Sequence, residues 1–353
     1  MKTIILTGGG TLGHVIPHFA ILPYLKHDKI YYVGSCNGIE KNYVKSKNLP
    51  YLEINPVKLH RSFTLKNLCI PIGFIKSIKE CEKIIKELSP SVVFSKGGFV
   101  GLPLTIAAKK HNIPVVVHES DLTLGLANKI ASKYAKQVLT SFEKTAKTLP
   151  NGKYVGAILN EELFTKTKAQ GLNKYGFNAS KPVLLITGGS SGAKSINTVV
   201  LNSLNELTKT FQVLHITGKN NLSGVEKQGY REVEFTDMSY AYSACDICIS
   251  RCGANTAFEL TSLKKPTLYI PLPKKASRGD QIDNANYFKS LNVCDVLHQE
   301  DITPALLVKK INELLINSAV YLKNLNALNL KTANKEIADI LNKYWQILSS
   351  ILK

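Results

Sequence analysis

A predicted turn and helix around Gly253 carry residue types that could bind a nucleotide. The strand pattern Ile247–Ser250 breaks at Cys252 and Gly253, and Glu259 follows on the helix that begins there. The N-terminus of a helix presents backbone N–H groups and a partial positive charge, and both favour a diphosphate. Glu259 lies about a turn and a half along the helix, where its carboxylate could accept hydrogen bonds from a neutral diol such as ribose.

The segment that follows supplies further polar groups. A strand predicted at 267–270 leads into a basic turn around Arg278 and then to Gln281 and Asn284. Amide and carboxylate side chains form the donor and acceptor set that binds sugars and amide bases. A helix cap followed by a polar loop would account for any one of these residues, but the whole string favours a nucleotide-sugar site.

A glycine-rich turn also follows the first predicted strand. The residues GGGTLG at 8–13 satisfy the G-x-G-x-x-G pattern of dinucleotide-binding folds. Such a fold needs an acidic residue at the end of the second strand, about 20 residues further on. Here the second predicted strand ends in Gly34 and Ser35. The missing acid counts against NAD as the ligand.

His14 and Glu119 are the candidates for proton transfer. His14 follows the first glycine turn, and Glu119 ends a further strand pattern just before Asp121. Because the carboxyl ends of parallel strands face one crevice, His14, Glu119 and a third turn at Gly97 and Gly98 are expected on one rim. The alternatives are a capping or packing role for His14 and a helix-capping role for Glu119.

The two halves of the chain repeat one pattern. TIILTGGGTLGH at 3–14 and VLLITGGSSGAK at 183–194 each run from a strand through Thr-Gly-Gly into a helix. This repeat, and the alternation of short apolar strands with helical patterns, predicts two α/β domains with parallel sheets and a linker within 151–160. Strands are predicted at 3–7, 30–33, 92–95, 114–118 and 138–140, and again at 183–187, 213–217, 247–250, 267–270 and 295–297.

The charge balance points to an anionic partner. The 353 residues include 45 Lys and Arg against 26 Asp and Glu, a net charge of +19. Lysine is spread widely and no nucleic-acid-binding motif occurs, so nucleic acid is not expected, whereas an acidic membrane surface or a phosphorylated substrate stays open. The segment 63–79 combines apolar residues with lysines, as expected either for contact with an anionic bilayer or for a buried helix with a solvated face.

The cysteines and the start of the chain bear on its compartment. The seven Cys are odd in number and no signal peptide precedes the first strand, so reduced thiols in a cytoplasm are expected. Cys245 and Cys248 have CxxC spacing, but no second pair completes four ligands, so no metal site is predicted and buried strand cysteines are favoured. No apolar run reaches the roughly 18–20 residues that span a bilayer.

Taken together, the motifs resemble a known family. TGGGTLGH, SKGGFVGLP, HESDLTLGLANK, TGGSSGAKSIN and SRCGANTAFEL with SRGDQIDNA occur in the order and spacing of the peptidoglycan N-acetylglucosaminyltransferases, the MurG family of glycosyltransferase family 28. The resemblance implies a glycosyltransferase-B fold with two Rossmann-like, doubly wound parallel-sheet domains that face a cleft. It implies an acceptor and membrane domain of residues 1–157 with a C-terminal helix at 336–353, and a donor domain of residues 158–335.

The resemblance also implies an activity. The family transfers N-acetylglucosamine from UDP-N-acetylglucosamine (UDP-GlcNAc) to the C4 hydroxyl of the muramoyl sugar of lipid I, with inversion and without a metal or other cofactor. The product is lipid II, made at the anionic cytoplasmic surface of the membrane, where proteins of cell-wall synthesis are expected partners. The rival hypotheses are a related transferase acting on another acceptor, such as diacylglycerol, and a non-catalytic membrane-surface scaffold.

Site residues follow from the motifs that match. By this resemblance His14 and Glu119 assist the acceptor hydroxyl. The donor is expected to contact Thr11, Leu12 and Gly13 at its sugar and diphosphate, Ser190 at the diphosphate, Phe235 at the uracil, Ala254, Asn255, Thr256, Ala257, Phe258 and Glu259 along the nucleotide loop and helix, and Gln281 and Asn284 at the sugar hydroxyls. Two positions depart from the pattern: Asn160 stands where the family has a donor-site Arg, for which Lys194 could compensate, and Asp121 stands where many relatives have Asn.

Overall fold

The structure, a computed structural model, describes residues 2–57, 70–189 and 192–351. The chain divides into two compact units. The first comprises residues 1–159 together with 331–353, and the second comprises residues 160–330. Within the described residues, no helix has the length and apolar character needed to cross a membrane.

The first unit is built on a parallel sheet of seven strands in the order β3-β2-β1-β4-β5-β6-β7. The order reverses between β1 and β4, so loops that leave these two strands at their carboxyl ends open a crevice. The strands are β1 (Thr3–Thr7), β2 (Lys29–Ser35), β3 (Tyr51–Ile54), β4 (Val92–Ser95), β5 (Val115–Glu119), β6 (Gln137–Thr140) and β7 (Gly152–Tyr154).

Helices cover both faces of this sheet. They are α1 (Ile16–Ile21), α2 (Ile39–Ser46), α3 (Ile70–Leu88), α4 (Gly98–Lys110), α5 (Leu126–Ala131), α6 (Glu143–Ala146) and, from the end of the chain, α14 (Asn334–Ile351). Because β1 is buried on both faces, its central residues Ile4, Ile5 and Leu6 are apolar without alternation, as expected for a central parallel strand. Ile337 and Leu341 of α14 lie in one core cluster with Ile4 and Leu6 of β1.

The second unit repeats the arrangement with six parallel strands in the order β10-β9-β8-β11-β12-β13. The strands are β8 (Val183–Thr187), β9 (Gln212–Ile216), β10 (Tyr230–Val233), β11 (Ile247–Ser250), β12 (Thr267–Tyr269) and β13 (Cys294–Val296). The helices are α7 (Lys168–Tyr175), α8 (Lys194–Thr210), α9 (Met238–Ala244), α10 (Ala254–Ser262), α11 (Asp280–Ser290), α12 (Pro304–Ile316) and α13 (Ser318–Ala327).

The predicted fold class, two α/β domains with parallel sheets, is confirmed. All the predicted strands are present within one or two residues, but β3, β7 and β10 were not predicted. Each of these three lies at the edge of its sheet. Edge strands are only partly buried and therefore lack a continuous apolar run, as the sequences YLEI, GKY and YREV show.

Candidate active site

The glycine turns after β1 and β4 meet at the carboxyl edge of the first sheet. Gly97 and Gly98 have φ angles of +89° and +77°, in the left-handed region that favours glycine. A Cβ on Gly98 would lie 2.4 Å from the carbonyl oxygen of Gly9. These positions therefore need glycine both for backbone conformation and for the close approach of the two turns.

A buried acid supports the first of these turns. Glu40, near the start of α2, is fully buried, and its Oε1 accepts a hydrogen bond from the Ser35 N–H at 3.0 Å. Its Oε2 accepts a second from the Gly10 N–H at 3.4 Å. The second strand therefore does end near an acid, but this carboxylate holds the protein's own backbone. Sequence reasoning missed Glu40 because its partner lies thirty residues away along the chain.

His14 lies in a short 3-10 helix, Leu12–His14, directly after the first glycine turn. Its side chain is half-buried, and its Nδ1 lies 3.0 Å from the Thr11 hydroxyl oxygen. Thr11 and Gly13 are exposed, and Leu12 is half-buried. The four residues Thr11 to His14 thus form one accessible segment of the first unit.

Glu119, the last residue of β5, is buried and organises the loop that follows it. Its Oε1 accepts from the Asp121 N–H at 3.0 Å, and its Oε2 accepts from the Gly125 N–H and from the Asn128 side-chain amide, both at 3.0 Å. Burial raises the pKa of Glu119, with a further contribution from the Asp121 charge, and the hydrogen bonds oppose this shift. Asn128, which sequence reasoning missed, also donates to the His118 carbonyl at 3.2 Å.

A second buried cluster lies beside Glu119. Lys96 follows β4 with only 2% of its surface exposed, and its Nζ lies 2.8 Å from His118 Nδ1 and 2.6 Å from Ser120 Oγ. His118 is fully buried, and burial together with the Lys96 charge lowers its pKa well below the ordinary value. The motif SKGGFVGLP contains Lys96, but its sequence alone assigns the lysine no partner.

In the second unit, α10 begins without a side-chain cap. Its N-cap residue is Gly253, which has no side chain to cap the helix, so the N–H groups of the first turn point out of the helix end. Asn284 of α11 is fully buried, and its Nδ2 donates to the Cys252 carbonyl at 3.3 Å, which holds the turn. Asn284 therefore supports the helix start rather than presenting its amide at the surface.

The residues of α10 divide between surface and core. Asn255, Thr256 and Glu259 are half-buried, whereas Ala254 and Ala257 are buried. Phe258 is 5% exposed and packs edge-on against Phe288, with ring centroids 5.3 Å apart. Any ligand contact by Phe258 would therefore have to involve its backbone.

The pKa of the Glu259 carboxyl group lies above its ordinary value. Burial raises its pKa from 4.5 to about 7, and a hydrogen bond from the Tyr242 hydroxyl to Oε2 at 3.2 Å opposes the shift. The carboxyl group is thus held in a low-dielectric position with one donor. Such a group can exchange between acid and carboxylate at neutral pH.

The glycine turn after β8 lies at the same edge of the second sheet. Gly189 and Gly192 have φ angles of +84° and +72°. The predicted diphosphate residue Ser190, with Ser191, lies outside the described residues. The helix α8 then begins at Lys194, again without a side-chain cap on its N-cap residue, Ala193.

The other residues predicted to bind the nucleotide sugar lie in different loops of the second unit. Gln281 is half-buried at the start of α11, and its Oε1 accepts from the Leu272 N–H at 3.0 Å. Phe235 follows β10, is 56% exposed, and lines a cavity of about 450 Å³ together with Arg231 and Tyr240. An apolar ring beside an open cavity could lie against a flat base.

Asn160 begins the second unit as a helix cap. Its Oδ1 accepts from the Glu162 N–H at 3.2 Å, at the start of the 3-10 helix Glu161–Phe164. Asparagine suits this position because its side chain replaces a missing backbone acceptor. Asn160 thus supplies a cap at the position where the resemblance implies an Arg.

A buried arginine at the carboxyl end of β11 was missed by sequence reasoning. Arg251 is 8% exposed and donates to the carbonyls of Ile270 and Pro271, to Ser195 Oγ and to Gln299 Oε1, at distances of 2.6 to 3.3 Å. These partners come from three segments that meet at this edge. All of them are neutral, so Arg251 keeps a net positive charge there.

The cysteines near this edge serve packing. Cys245, Cys248 and Cys252 are buried, and Cys245 Sγ donates to the Ile247 carbonyl at 3.0 Å. Across residues 2–57, 70–189 and 192–351, no group of three His, Cys, Asp or Glu residues is placed to hold a metal ion.

Comparisons with known proteins agree with this architecture. The glycosyltransferase family 28 N-terminal domain matches residues 4–140, and the glycosyltransferase family 28 C-terminal domain matches residues 183–342. A crystal structure of Acinetobacter baumannii MurG has a TM-score of 0.76 at 23% sequence identity and covers 97% of this chain and 100% of that chain. At this identity the likeness concerns the fold.

Curated relatives are more similar in sequence. The UDP-N-acetylglucosamine–N-acetylmuramyl-(pentapeptide) pyrophosphoryl-undecaprenol N-acetylglucosamine transferase of Clostridium tetani is 42% identical over 98% of both chains. The corresponding transferase 2 of Bacillus cereus is 44% identical over 96% of this chain and 98% of its own. With such identity over nearly its whole length, the chain belongs to glycosyltransferase family 28, in the group of these N-acetylglucosamine transferases.

Proposed function

We propose that the protein transfers N-acetylglucosamine from UDP-GlcNAc to the C4 hydroxyl of the muramoyl sugar in undecaprenyl-diphospho-N-acetylmuramoyl-pentapeptide, lipid I, to form lipid II. The observation that carries the proposal is the 42% identity over 98% of the chain to a relative named for this transfer. Two features of α10 support it. The start of the helix, which has no side-chain cap, suits a diphosphate, and the carboxyl group of Glu259 suits a ribose.

The second unit is assigned the donor. The diphosphate is placed at the glycine turn before α8 and at the Gly253 turn, where backbone N–H groups stabilise the charge that develops as UDP leaves. Arg251 adds a positive charge at this edge, which offsets the cation lost at Asn160. Glu259 accepts hydrogen bonds from the ribose hydroxyls, and Phe235 marks the uracil position.

Gln281 and Asn284 remain proposed residues for the donor sugar, but their contacts within the protein limit which of their atoms can bind it. Gln281 Oε1 is engaged by the Leu272 N–H, so its side-chain amide N–H₂ is the group assigned to a sugar hydroxyl. Asn284 is assigned an indirect role through the Cys252 turn.

We assign acceptor binding and removal of the acceptor proton to the first unit. In a single inverting displacement the C4 oxygen attacks the anomeric carbon, the bond to UDP breaks, and the hydroxyl proton passes to a base. We assign the base to His14. For this role Nδ1–H must donate to the Thr11 oxygen, so that Nε2 accepts the proton. Both oxygens of Glu119 already accept hydrogen bonds from backbone and amide N–H groups. We therefore assign Glu119 the role of fixing the conformation of the acceptor loop, which includes Asp121.

The first unit is also assigned to the anionic cytoplasmic surface of the membrane, where proteins of cell-wall synthesis are expected partners. Ile72 and Ile75 of α3 are 74% and 54% exposed, and Lys76 and Lys79 on the same helix are exposed. Apolar residues flanked by lysines suit contact with acidic lipid. Residues 63–69 of the predicted patch lie outside the described residues, as does the side chain of Ile70.

The test is transfer of labelled sugar from UDP-GlcNAc to a lipid I analogue and, in parallel, to diacylglycerol, with and without a chelator. Extension of the lipid I analogue alone, at a rate that the chelator does not change, is the expected result. Extension of diacylglycerol instead would leave the donor assignment and overturn the acceptor. Donor binding without any transfer would favour a non-catalytic scaffold, and absence of donor binding would overturn the nucleotide-sugar assignment.

A further inference from the structure

Lys96 is a buried cation whose hydrogen-bond partners are neutral. Its Nζ lies 2.8 Å from His118 Nδ1 and 2.6 Å from Ser120 Oγ. The carboxylates of Glu119 and Asp121 attract it through space, but neither forms an ion pair with it within the described part of the chain. Since burying an ammonium group without an adjacent counter-charge is costly, packing alone is a poor reason for a lysine here.

The ammonium group defines the state of His118. Because an ammonium group only donates, His118 Nδ1 must accept, and the ring proton must lie on Nε2. Nε2 is buried and has no partner among the described residues. The hydrogen bond therefore selects one tautomer of a neutral imidazole.

His18 of α1 shows the complementary state. Its Nδ1 lies 3.3 Å from the Val15 carbonyl oxygen, which only accepts, so Nδ1 carries the proton and Nε2 is an acceptor. This Nε2 is likewise buried without a partner in the described residues. The two histidines interact electrostatically, and His18 also interacts with Lys96 and His14.

We propose that Lys96 is a positioning residue of the transfer reaction, whose ammonium group ties the end of β5, and with it the Glu119 loop, to the glycine turn that follows β4. The inference rests on the proposed function for its kinetic consequences. Its structural consequence, the order of the loop from Asp121 to Gly125, does not depend on that function.

The charge of Lys96 is sensitive to pH in the working range. Burial lowers its pKa from 10.5 to about 7, although Glu119 and Asp121 oppose the shift. Its other titratable neighbours are His18 and His118. Burial lowers the pKa of His18 to about 3 and that of His118 well below its ordinary value, so both stay neutral near pH 7. Lys96 is therefore charged below pH 7 and loses its charge as the pH rises above it.

The experiment compares the wild type with Lys96→Met, which keeps the length of the side chain and removes the charge. Lys109→Met, an exposed position on α4, is the matched control. Acceptor kcat/KM is measured from pH 6 to 9 at saturating UDP-GlcNAc, so that donor ionisation effects drop out. Amide hydrogen exchange of Asp121 and Gly125 is measured on the same proteins.

The wild type should lose acceptor kcat/KM as the pH rises through about 7. Lys96→Met should be about ten- to a hundredfold slower at pH 6, as expected for displaced reacting groups, and should lack this alkaline decline. Its donor KM should be unchanged, and the Asp121 and Gly125 amides should exchange faster. Lys109→Met should match the wild type throughout.

Acceptor kinetics in Lys96→Met that match Lys109→Met, or an alkaline decline that it retains, would overturn the proposal. If the wild type itself transfers no sugar, the proposed function fails, and the exchange rates alone decide the positioning role: unchanged protection in Lys96→Met overturns it. Should Lys96→Met fail to fold, Ser120→Ala removes one acceptor of the ammonium group and should shift the midpoint of the alkaline decline, whereas an unmoved midpoint overturns the proposal.

Discussion

Ionisation of Glu259 should control donor binding near neutral pH. Burial raises the pKa of this carboxyl group from 4.5 to about 7, and the Tyr242 hydroxyl donates the hydrogen bond that stabilises the ionised form. The proposed partner is a ribose diol, which offers two O–H donors. An ionised carboxylate accepts both, whereas a protonated carboxyl group gives up part of its acceptor capacity to its own proton.

The magnitude follows from the titration. With a pKa of about 7, roughly one-tenth of the protein carries the carboxylate at pH 6 and roughly nine-tenths at pH 8. Because the apparent Kd varies inversely with the binding-competent fraction, UDP-GlcNAc should bind about tenfold more tightly at pH 8 than at pH 6. Glu259→Gln should remove this pH dependence. It should also weaken binding at pH 8 by about ten- to a hundredfold, since a hydrogen bond to a charged group is worth about 1.5–3 kcal/mol.

The raised pKa of Glu259 should affect stability in the opposite direction to donor binding: as the pH rises, donor binding strengthens and the folded state becomes less stable. The folded state binds more protons than the unfolded state between pH 4.5 and about 7. The free energy of unfolding therefore falls as the pH rises through this window. Glu259→Gln should consequently raise the Tm at pH 8 while it weakens donor binding.

Isothermal titration with UDP-GlcNAc at pH 6, 7 and 8, with Tm measured at each pH, checks both effects. Glu206→Gln is the matched control, because this glutamate lies on the surface of α8 in the same unit. A Kd that is as dependent on pH in Glu259→Gln as in the wild type would refute the reasoning. So would a Tm at pH 8 that falls together with donor affinity, since the residue would then be structural.

Three further changes test other parts of the molecule. His14→Ala should lower kcat by about 10²–10⁴-fold, the usual worth of a general base, with little change in donor KM; an unchanged kcat would remove His14 as the base. Gly98→Ala should lower the Tm, because its φ of +77° and a Cβ 2.4 Å from the Gly9 oxygen disfavour any side chain; a wild-type Tm would contradict this. Ile75→Glu should weaken binding to vesicles that contain anionic lipid while transfer to a soluble acceptor analogue stays unchanged, and equal vesicle binding would exclude α3 from the membrane contact.

Much of the fold could be predicted from the sequence because its signals are local. The central strands, such as VLLIT and TIILT, are buried on both faces and read as continuous apolar runs. The glycine turns follow them directly, and a φ above zero at Gly10, Gly97 and Gly189 explains why glycine stands there. The edge strands β3, β7 and β10 were not predicted, because partial burial leaves them without such a run.

The sequence by itself determined the two-domain parallel architecture, the family and the start of helix α10, since each depends on residues close together along the chain. Only the tertiary structure decided which polar groups meet. Lys96 reaches His118 across 22 residues, and Asn284 reaches the Cys252 carbonyl across 32. It also decided that burial raises the pKa of Glu259 to about 7, because burial depends on neighbours that distant segments supply. The physical reason is that hydrogen bonding and desolvation act through space, and no local pattern records them.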